Sequence, residues 1–325
     1  MRPPGFWITG GLPARLLAPL GTVTAALTAR RVARPGCRAP VPVICVGNAT
    51  VGGTGKTPIA LDLAGRLRAR GAAVHILTRG YGGTLPGPVR VDLARHTAAE
   101  VGDEALLLAL VAPCWVGADR AAAGRAAVAQ GAGVLLLDDG LQNPSLAKDI
   151  NVLVIDGENG FGNGHLLPAG PLREPVQAAV SRCRLAVMMG ADRTGAAAQL
   201  PAGFAVAQAR LVPGAGMHAM AGQAVFAFAG IGRPEKFFRT LVEAGLMLAG
   251  TRSFADHHRY APGDLAALRR DAAACGGRLV TTEKDFARLA LTDRAGVTAL
   301  GVRVAWADEA AIEAMLAAAL PGPRR

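Results

Sequence analysis

Aromatic residues make up only 4% of this 325-residue chain and charged residues only 18%. Acids are the scarcer sign, 24 against 35 lysines and arginines, for a net charge of +11. Such an excess suits nucleic acid, an anionic membrane surface or a phosphorylated substrate. No Lys/Arg run interleaved with aromatics occurs, and no zinc-finger spacing, so no nucleic-acid partner is expected. The five cysteines, Cys37, Cys45, Cys114, Cys183 and Cys275, form no Cys-x-x-Cys pair. That odd, scattered set is expected as buried free thiols in a reducing compartment. Long apolar runs are lacking too. Leu16–Leu27 comes nearest, but Pro19 interrupts it, no clear export cleavage site follows, and it falls short of the ~20 residues a bilayer span takes.

What the chain does have is an apolar half, 51% of its residues, enough to bury a large core. The length favours about two domains. Abundant Gly and Ala suit helices packed closely on a sheet. Leu16, Leu20, Val23 and Leu27 nearly share one helical face, and Arg15, Arg30, Arg31, Arg34 and Arg38 flank them. Two readings stay open: a helix lying in a membrane interface, or one packed on its own domain.

Val41–Val46 reads as a buried strand ending at Gly47, and Pro58 as the first turn of a helix. Val74–Thr78, Val134–Leu137, Ile150–Ile155, Leu185–Met189, Ala205–Leu211, Val225–Ala229 and Leu279–Thr281 read as further strands. Ala105–Val111, Arg120–Ala129, Pro234–Ala244 and Pro262–Ala274 read as helices. Alternating strands and helices predict an α/β fold, a mostly parallel sheet covered on both faces. Ligands of such sheets bind at the carboxyl ends of the strands. Residues 157–175 form a Gly- and Pro-rich loop, too long for a plain connector. Pro213-Gly214-Ala215-Gly216 is the expected boundary between residues 1–215 and a smaller α/β domain, 216–325.

Chemistry concentrates first at Gly47-Asn48-Ala49-Thr50-Val51-Gly52-Gly53-Thr54-Gly55-Lys56-Thr57-Pro58. Glycines let backbone amides converge on phosphate oxygens, and a helix N-terminus adds partial positive charge. Thr50, Val51, Gly52, Gly53, Thr54, Gly55, Lys56 and Thr57 are therefore expected around ATP phosphates. Lys56 would reach the β- and γ-phosphates, and the Thr57 hydroxyl would bind Mg²⁺. Thr50 stands where the usual pattern has Gly. Asp138 and Asp139 end an apolar strand, where a carboxylate holds Mg²⁺ directly or through water, with Gln142 close behind. Asp103 opens an apolar helix either as a cap or as a general base. The pair His257-His258 has no Cys/His partners at zinc spacing. It fits a surface loop or a His bonded to a catalytic carboxylate. Arg173 could hold phosphate and Glu174 could join the metal shell, or the two could be a surface ion pair. Gly230-Ile231-Gly232-Arg233 and Thr281-Thr282-Glu283-Lys284-Asp285 are expected along a cleft between the domains.

The ordered set resembles the tetraacyldisaccharide 4′-kinase family. Its pieces are Phe6-Trp7 with the apolar helix, Val46–Pro58, Arg79-Gly80-Tyr81-Gly82-Gly83, Gly102-Asp103-Glu104, Asp119-Arg120, Asp138-Asp139-Gly140-Leu141-Gln142, Leu167–Glu174, Asp256-His257-His258 and Thr282-Glu283-Lys284-Asp285. Ala105, Leu141 and Asn143 depart from the family's usual residues. The resemblance implies a P-loop NTPase-like α/β/α sandwich with a second α/β domain. The implied reaction is ATP-dependent phosphorylation of the 4′-hydroxyl of a tetraacylated glucosamine disaccharide 1-phosphate, giving lipid IVA. It further implies Asp103 as base with His257 as its partner. Thr57, Asp138, Asp139, Gln142 and Glu174 would surround Mg²⁺ and nucleotide. The chain would be a peripheral monomer at the cytoplasmic face of the bacterial inner membrane, meeting the bilayer through its N-terminal helix. The rival is a nucleotide-switch ATPase or GTPase working through protein partners. Val51 replaces the Lys that dimerising switch ATPases carry, and no Asn/Thr-Lys-x-Asp guanine reader occurs. A dinucleotide-binding oxidoreductase using Gly160–Gly164 fails on glycine spacing.

Overall fold

The structure, a computed structural model, describes residues 4–320. The first stretch runs α1 (Phe6–Thr9), α2 (Leu12–Val32), β1 (Val43–Gly47), α3 (Lys56–Ala69), β2 (Val74–Thr78), β3 (Val89–Arg90), α4 (Ala98–Val101), α5 (Asp103–Val111), β4 (Cys114–Val116), α6 (Arg120–Ala129) and β5 (Val134–Asp138). It continues through β6 (Ile150–Asp156), α7 (Val176–Val180), β7 (Leu185–Met189) and β8 (Val206–Pro213). The remainder is α8 (Ala215–His218), β9 (Ala224–Ala229), α9 (Pro234–Glu243), β10 (Met247–Ser253), α10 (Pro262–Ala274), β11 (Arg278–Thr282), α11 (Glu283–Arg288), β12 (Thr298–Leu300), β13 (Val302–Trp306) and α12 (Ala310–Ala319).

Nine strands form the large sheet, in the order β13-β8-β7-β6-β1-β5-β2-β4-β3. All of its pairs are parallel except those of the two edge strands, β13 and β3. Its central strands are continuous apolar runs because both faces are covered. Strand alternation divides one run between two cores. Ile44 and Val46 pack with α3 residues Ile59, Leu63 and Leu67 on one face. Val43 and Cys45 pack with Leu135, Leu137, Leu153 and Phe161 on the other. A second sheet, β10-β9-β11-β12, is wholly parallel. Phe237, Phe238 and Leu241 of α9 cover one side of it, and Leu265 and Leu268 of α10 cover the other.

The division expected from sequence needs one correction. The second sheet does not continue to the C-terminus. β13 pairs antiparallel with β8 in the large sheet. Ile312, Met315 and Leu316 of α12 join the core beneath α3. An apolar helix stripe is buried where a matching surface exists, and α3 supplies that surface. Residues 302–319 thus belong with the first unit. The cysteines differ from expectation as well: Cys45 and Cys114 are buried, but Cys37 and Cys275 are exposed.

Pro19 does not end the N-terminal helix. α2 runs 21 residues through it. A proline inside a helix removes one backbone donor, which an exposed helix tolerates at some cost. Among the described residues this is the one helix long and apolar enough to cross a membrane. Leu16 is 71% exposed and Leu27 61%, with Leu12, Leu20 and Val23 beside them in the open. The opposite side of α2 lies on the long 157–175 loop. The Thr24 hydroxyl donates to Leu167 O at 2.6 Å, and Trp7 Nε1 donates to Pro168 O at 3.0 Å.

Candidate active site

The phosphate loop leaves the carboxyl end of β1 and enters α3. At Gly47 a Cβ would lie 2.6 Å from that of Leu141, so the strand end admits no side chain. Gly55 turns into the helix with φ +91, in the left-handed region that favours glycine. The flank of the loop is stitched down: Val51 N donates to Pro171 O at 2.8 Å, and Thr50 bridges to Leu172. Val51's amide is therefore already engaged. Gly52 and Gly53 lie exposed, and Thr54 is buried with its hydroxyl unpartnered among the described residues. Lys56 begins α3, and its Nζ lies 3.4 Å from Gly52 O, folded over the loop. A glycine-rich turn entering a helix N-terminus, with a lysine folded over it, suits a polyphosphate.

Thr57 donates to Asp138 Oδ2 at 3.3 Å. Asp138 is 1% exposed, and its Oδ1 has no partner among the described residues. Burial, helped by the negative charge of Glu104, pushes its pKa up to about 7 against the pull of Lys56. An orphaned buried carboxylate oxygen beside the Thr57 hydroxyl fits a divalent cation. Among the described residues no group of three or more His, Cys, Asp or Glu could hold a metal by itself. That suits an ion completed by phosphate oxygens and water.

Asp139 adopts φ +53 and turns to Arg173, whose guanidinium meets both carboxylate oxygens at 2.8 and 3.2 Å. Burial alone would raise its pKa, but the charges of Lys56 and Arg173 prevail and hold it below the usual range. Gln142 Nε2 donates to Asn48 O and to Glu174 Oε1. Glu174 is buried, and both its oxygens accept from Arg182 Nη2 at 2.8 Å. Its contacts with the Asp138–Asp139 pair therefore run through Gln142 and Arg173. Sequence reasoning missed Arg182, whose only signal was a basic residue eight positions along the chain.

On the other wall Gly102, not Asp103, is the N-cap of α5. Asp103 Oδ1 accepts the Glu104 amide at 2.9 Å. Oδ2 points to the second unit, 3.2 Å from His257 Nδ1 and 2.8 Å from Arg288 Nε. Burial opposes ionisation here too. The His257 hydrogen bond and the charges of Lys284 and Arg288 outweigh it and keep the Asp103 pKa well below the usual carboxylate range. His257 sits at φ +58, its amide donating to Gly230 O at 3.0 Å. His258 takes no part: it bonds Asp264 at 2.9 Å and stacks on Phe254. Lys284 Nζ meets Glu104 Oε1 at 3.0 Å.

Arg288, like Arg182, escaped sequence reasoning. Arg288 stands three residues after Asp285 on α11, and that helical spacing was its only signal. Arg120, named from sequence with Asp119, is 2% exposed, and its Nε is unpartnered among the described residues.

The chain is 57% identical over 318 residues to the tetraacyldisaccharide 4′-kinase of Gluconacetobacter diazotrophicus, covering 97% of each. It is 50% identical over 317 residues to that of Gluconobacter oxydans, again covering 97% of each. The crystal structure of LpxK from Aquifex aeolicus in complex with ATP superposes with a TM-score of 0.78 at 25% identity, over 95% of this chain and 100% of that one. A family model described as tetraacyldisaccharide-1-P 4′-kinase matches residues 13–321, and the chain belongs to that family.

Proposed function

We propose that the protein transfers the γ-phosphoryl group of ATP to the 4′-hydroxyl of a tetraacyl disaccharide 1-phosphate, forming lipid IVA. The observation that carries this beyond family membership is Asp103. It pairs with His257 at 3.2 Å at the start of α5, a helix packed on α3, which the loop enters, and a carboxylate so held suits a base for an acceptor hydroxyl. A nucleotide switch acting through protein partners has no need of that pair.

The loop around Gly52–Lys56 binds the triphosphate, and Lys56 neutralises charge on the moving group. Thr57 and Asp138 would hold Mg²⁺, which would supply further neutralisation of phosphate charge. Asp139, Gln142 and Glu174 order the wall behind it through Arg173 and Arg182. Asp103 takes the proton of the sugar hydroxyl. Its low basicity is no obstacle, because phosphoryl transfer passes through a loose transition state and rewards alignment more than proton affinity. The site residues all come from one chain, so a monomer suffices for the reaction.

The lipid's acyl chains stay in a bilayer while its head enters the cleft. The exposed leucine row of α2 and the arginines flanking it suit the surface of an anionic membrane. The protein works there peripherally, at the cytoplasmic face of the inner membrane, where ATP is present. The test is to incubate it with Mg-ATP and the tetraacyl disaccharide 1-phosphate and to weigh the lipid. A doubly phosphorylated product is expected. ATP consumption that depends on a protein and leaves the lipid unchanged rejects the reading.

A further inference from the structure

Asp103 and Arg288 are 185 residues apart and lie on different units, yet both side chains are only 5% exposed where they meet. A guanidinium so deeply buried needs an acceptor for each nitrogen. Arg288 has them. Nε and Nη2 both donate to Asp103 Oδ2, while Nη1 donates to Gly230 O at 2.7 Å and to Asp285 Oδ1 at 2.8 Å. Asp285 is 0% exposed and is itself fixed by the Gly230 amide, the Tyr260 hydroxyl and the Thr282 hydroxyl. The guanidinium is therefore held from behind, and its planar fork has one orientation open to it.

The consequence falls on the two oxygens of Asp103. Oδ2 faces Arg288 and His257 and is saturated. Oδ1 accepts only the Glu104 amide and keeps a lone pair. Resting on the kinase reading above, we propose that Arg288, anchored by Asp285, is a positioning residue that occupies Oδ2 of Asp103 and leaves Oδ1 as the oxygen that takes the proton of the acceptor hydroxyl. In that step the sugar O–H bond breaks and its proton passes to Oδ1. The sugar oxygen bonds to the γ-phosphorus, and the bond from that phosphorus to the β,γ-bridging oxygen breaks to release ADP. Arg288 touches neither substrate. It acts by fixing the rotation of the carboxylate, and Lys284, 3.9 Å from Oδ2, adds charge without the fork.

The test is a double-mutant cycle on the full chain with the tetraacyl lipid. Arg288→Met should lower kcat about 100-fold, the cost of misplacing a reacting group by about 1 Å, with the KM for ATP changed less than about threefold. Arg288→Lys should restore about tenfold of that, since it returns charge without the fork. In an Asp103→Asn background, Arg288→Met should cost less than about threefold, because the group it positions is gone. The same fold-loss in both backgrounds, or an Arg288→Met rate within threefold of the parent, overturns the proposal. Thermal melts report folding. Should Arg288→Met fail to fold, the cycle is run with Arg288→Lys and read the same way, with a loss of about tenfold expected only where Asp103 is present. If the unaltered chain makes no doubly phosphorylated lipid, the kinase reading itself fails, before any variant is compared.

Discussion

Asp138 and Asp103 are both buried carboxylates, and their surroundings are opposite. Asp138 receives a single neutral hydroxyl at 3.3 Å and leaves an oxygen bare. Asp103 receives an arginine fork, a histidine and a nearby lysine. Burial raises the pKa of the first to about 7, while partners overcome burial and lower the second. The difference shows where each finds its counter-charge. Asp103 carries its own within the fold. On the reading proposed here, a cation arriving with the nucleotide completes Asp138, which would link its folding energy to its ligand affinity.

The largest effect that sharpens this contrast is at the phosphate end. Lys56→Ala should reduce turnover below detection, since it removes the cation that meets the migrating charge. A near-normal kcat would break the contrast by showing that the loop is not the nucleotide site. At the other end, Asp103→Asn should lower kcat by about 10³-fold while the Kd for Mg-ATP changes less than about threefold. Equal losses in rate and in nucleotide affinity would return Asp103 to a merely structural place at the start of α5. The same substitution leaves Arg288 buried without its partner charge, so the variant should also unfold more easily, by about 3 kcal/mol. A denaturant midpoint equal to that of the parent would show that Asp285 alone balances Arg288.

The two ends were not equally legible from sequence. The phosphate loop, Lys56 and Thr57 form one contiguous segment whose spacing carries the mechanism, and β1, β2, β5 and β7 are apolar runs because they are buried on both faces. β10 was invisible: Met247–Ser253 is an edge strand of alternating exposure with a Gly inside it. β4 spans three residues, and β13 is recruited by pairing with β8 across about ninety positions. No local pattern announces such partners. Asp103 and His257 came together through family resemblance, and their 154-residue separation explains why spacing alone left Asp103 between cap and base. Arg288 was missed for the same reason. Its acceptors lie on α5, after β9 and on its own helix, and only the fold assembles them.

The smallest effect is the most direct probe of the incomplete carboxylate. Asp138 has a folded pKa of about 7, above its unfolded value of 3.8. Between those values the folded state binds the extra proton, so stability falls as pH rises through that window, and the full penalty remains above it. Asn carries no charge to desolvate. Without nucleotide and magnesium, Asp138→Asn should therefore melt about 5 °C higher than the parent at pH 8, and the two should converge near pH 4. Adding Mg-ATP should reverse the order at pH 8, because ligand stabilises the parent in proportion to an affinity the variant has partly lost. Asp103 predicts the opposite sign. Its lowered pKa contributes stability at neutral pH that disappears only as pH falls below about 4, so Asp103→Asn should melt lower than the parent at pH 8 with or without ligand. If Asp138→Asn also melts lower at pH 8 in the absence of ligand, its carboxylate is already compensated within the fold, and the asymmetry between the two acids is lost.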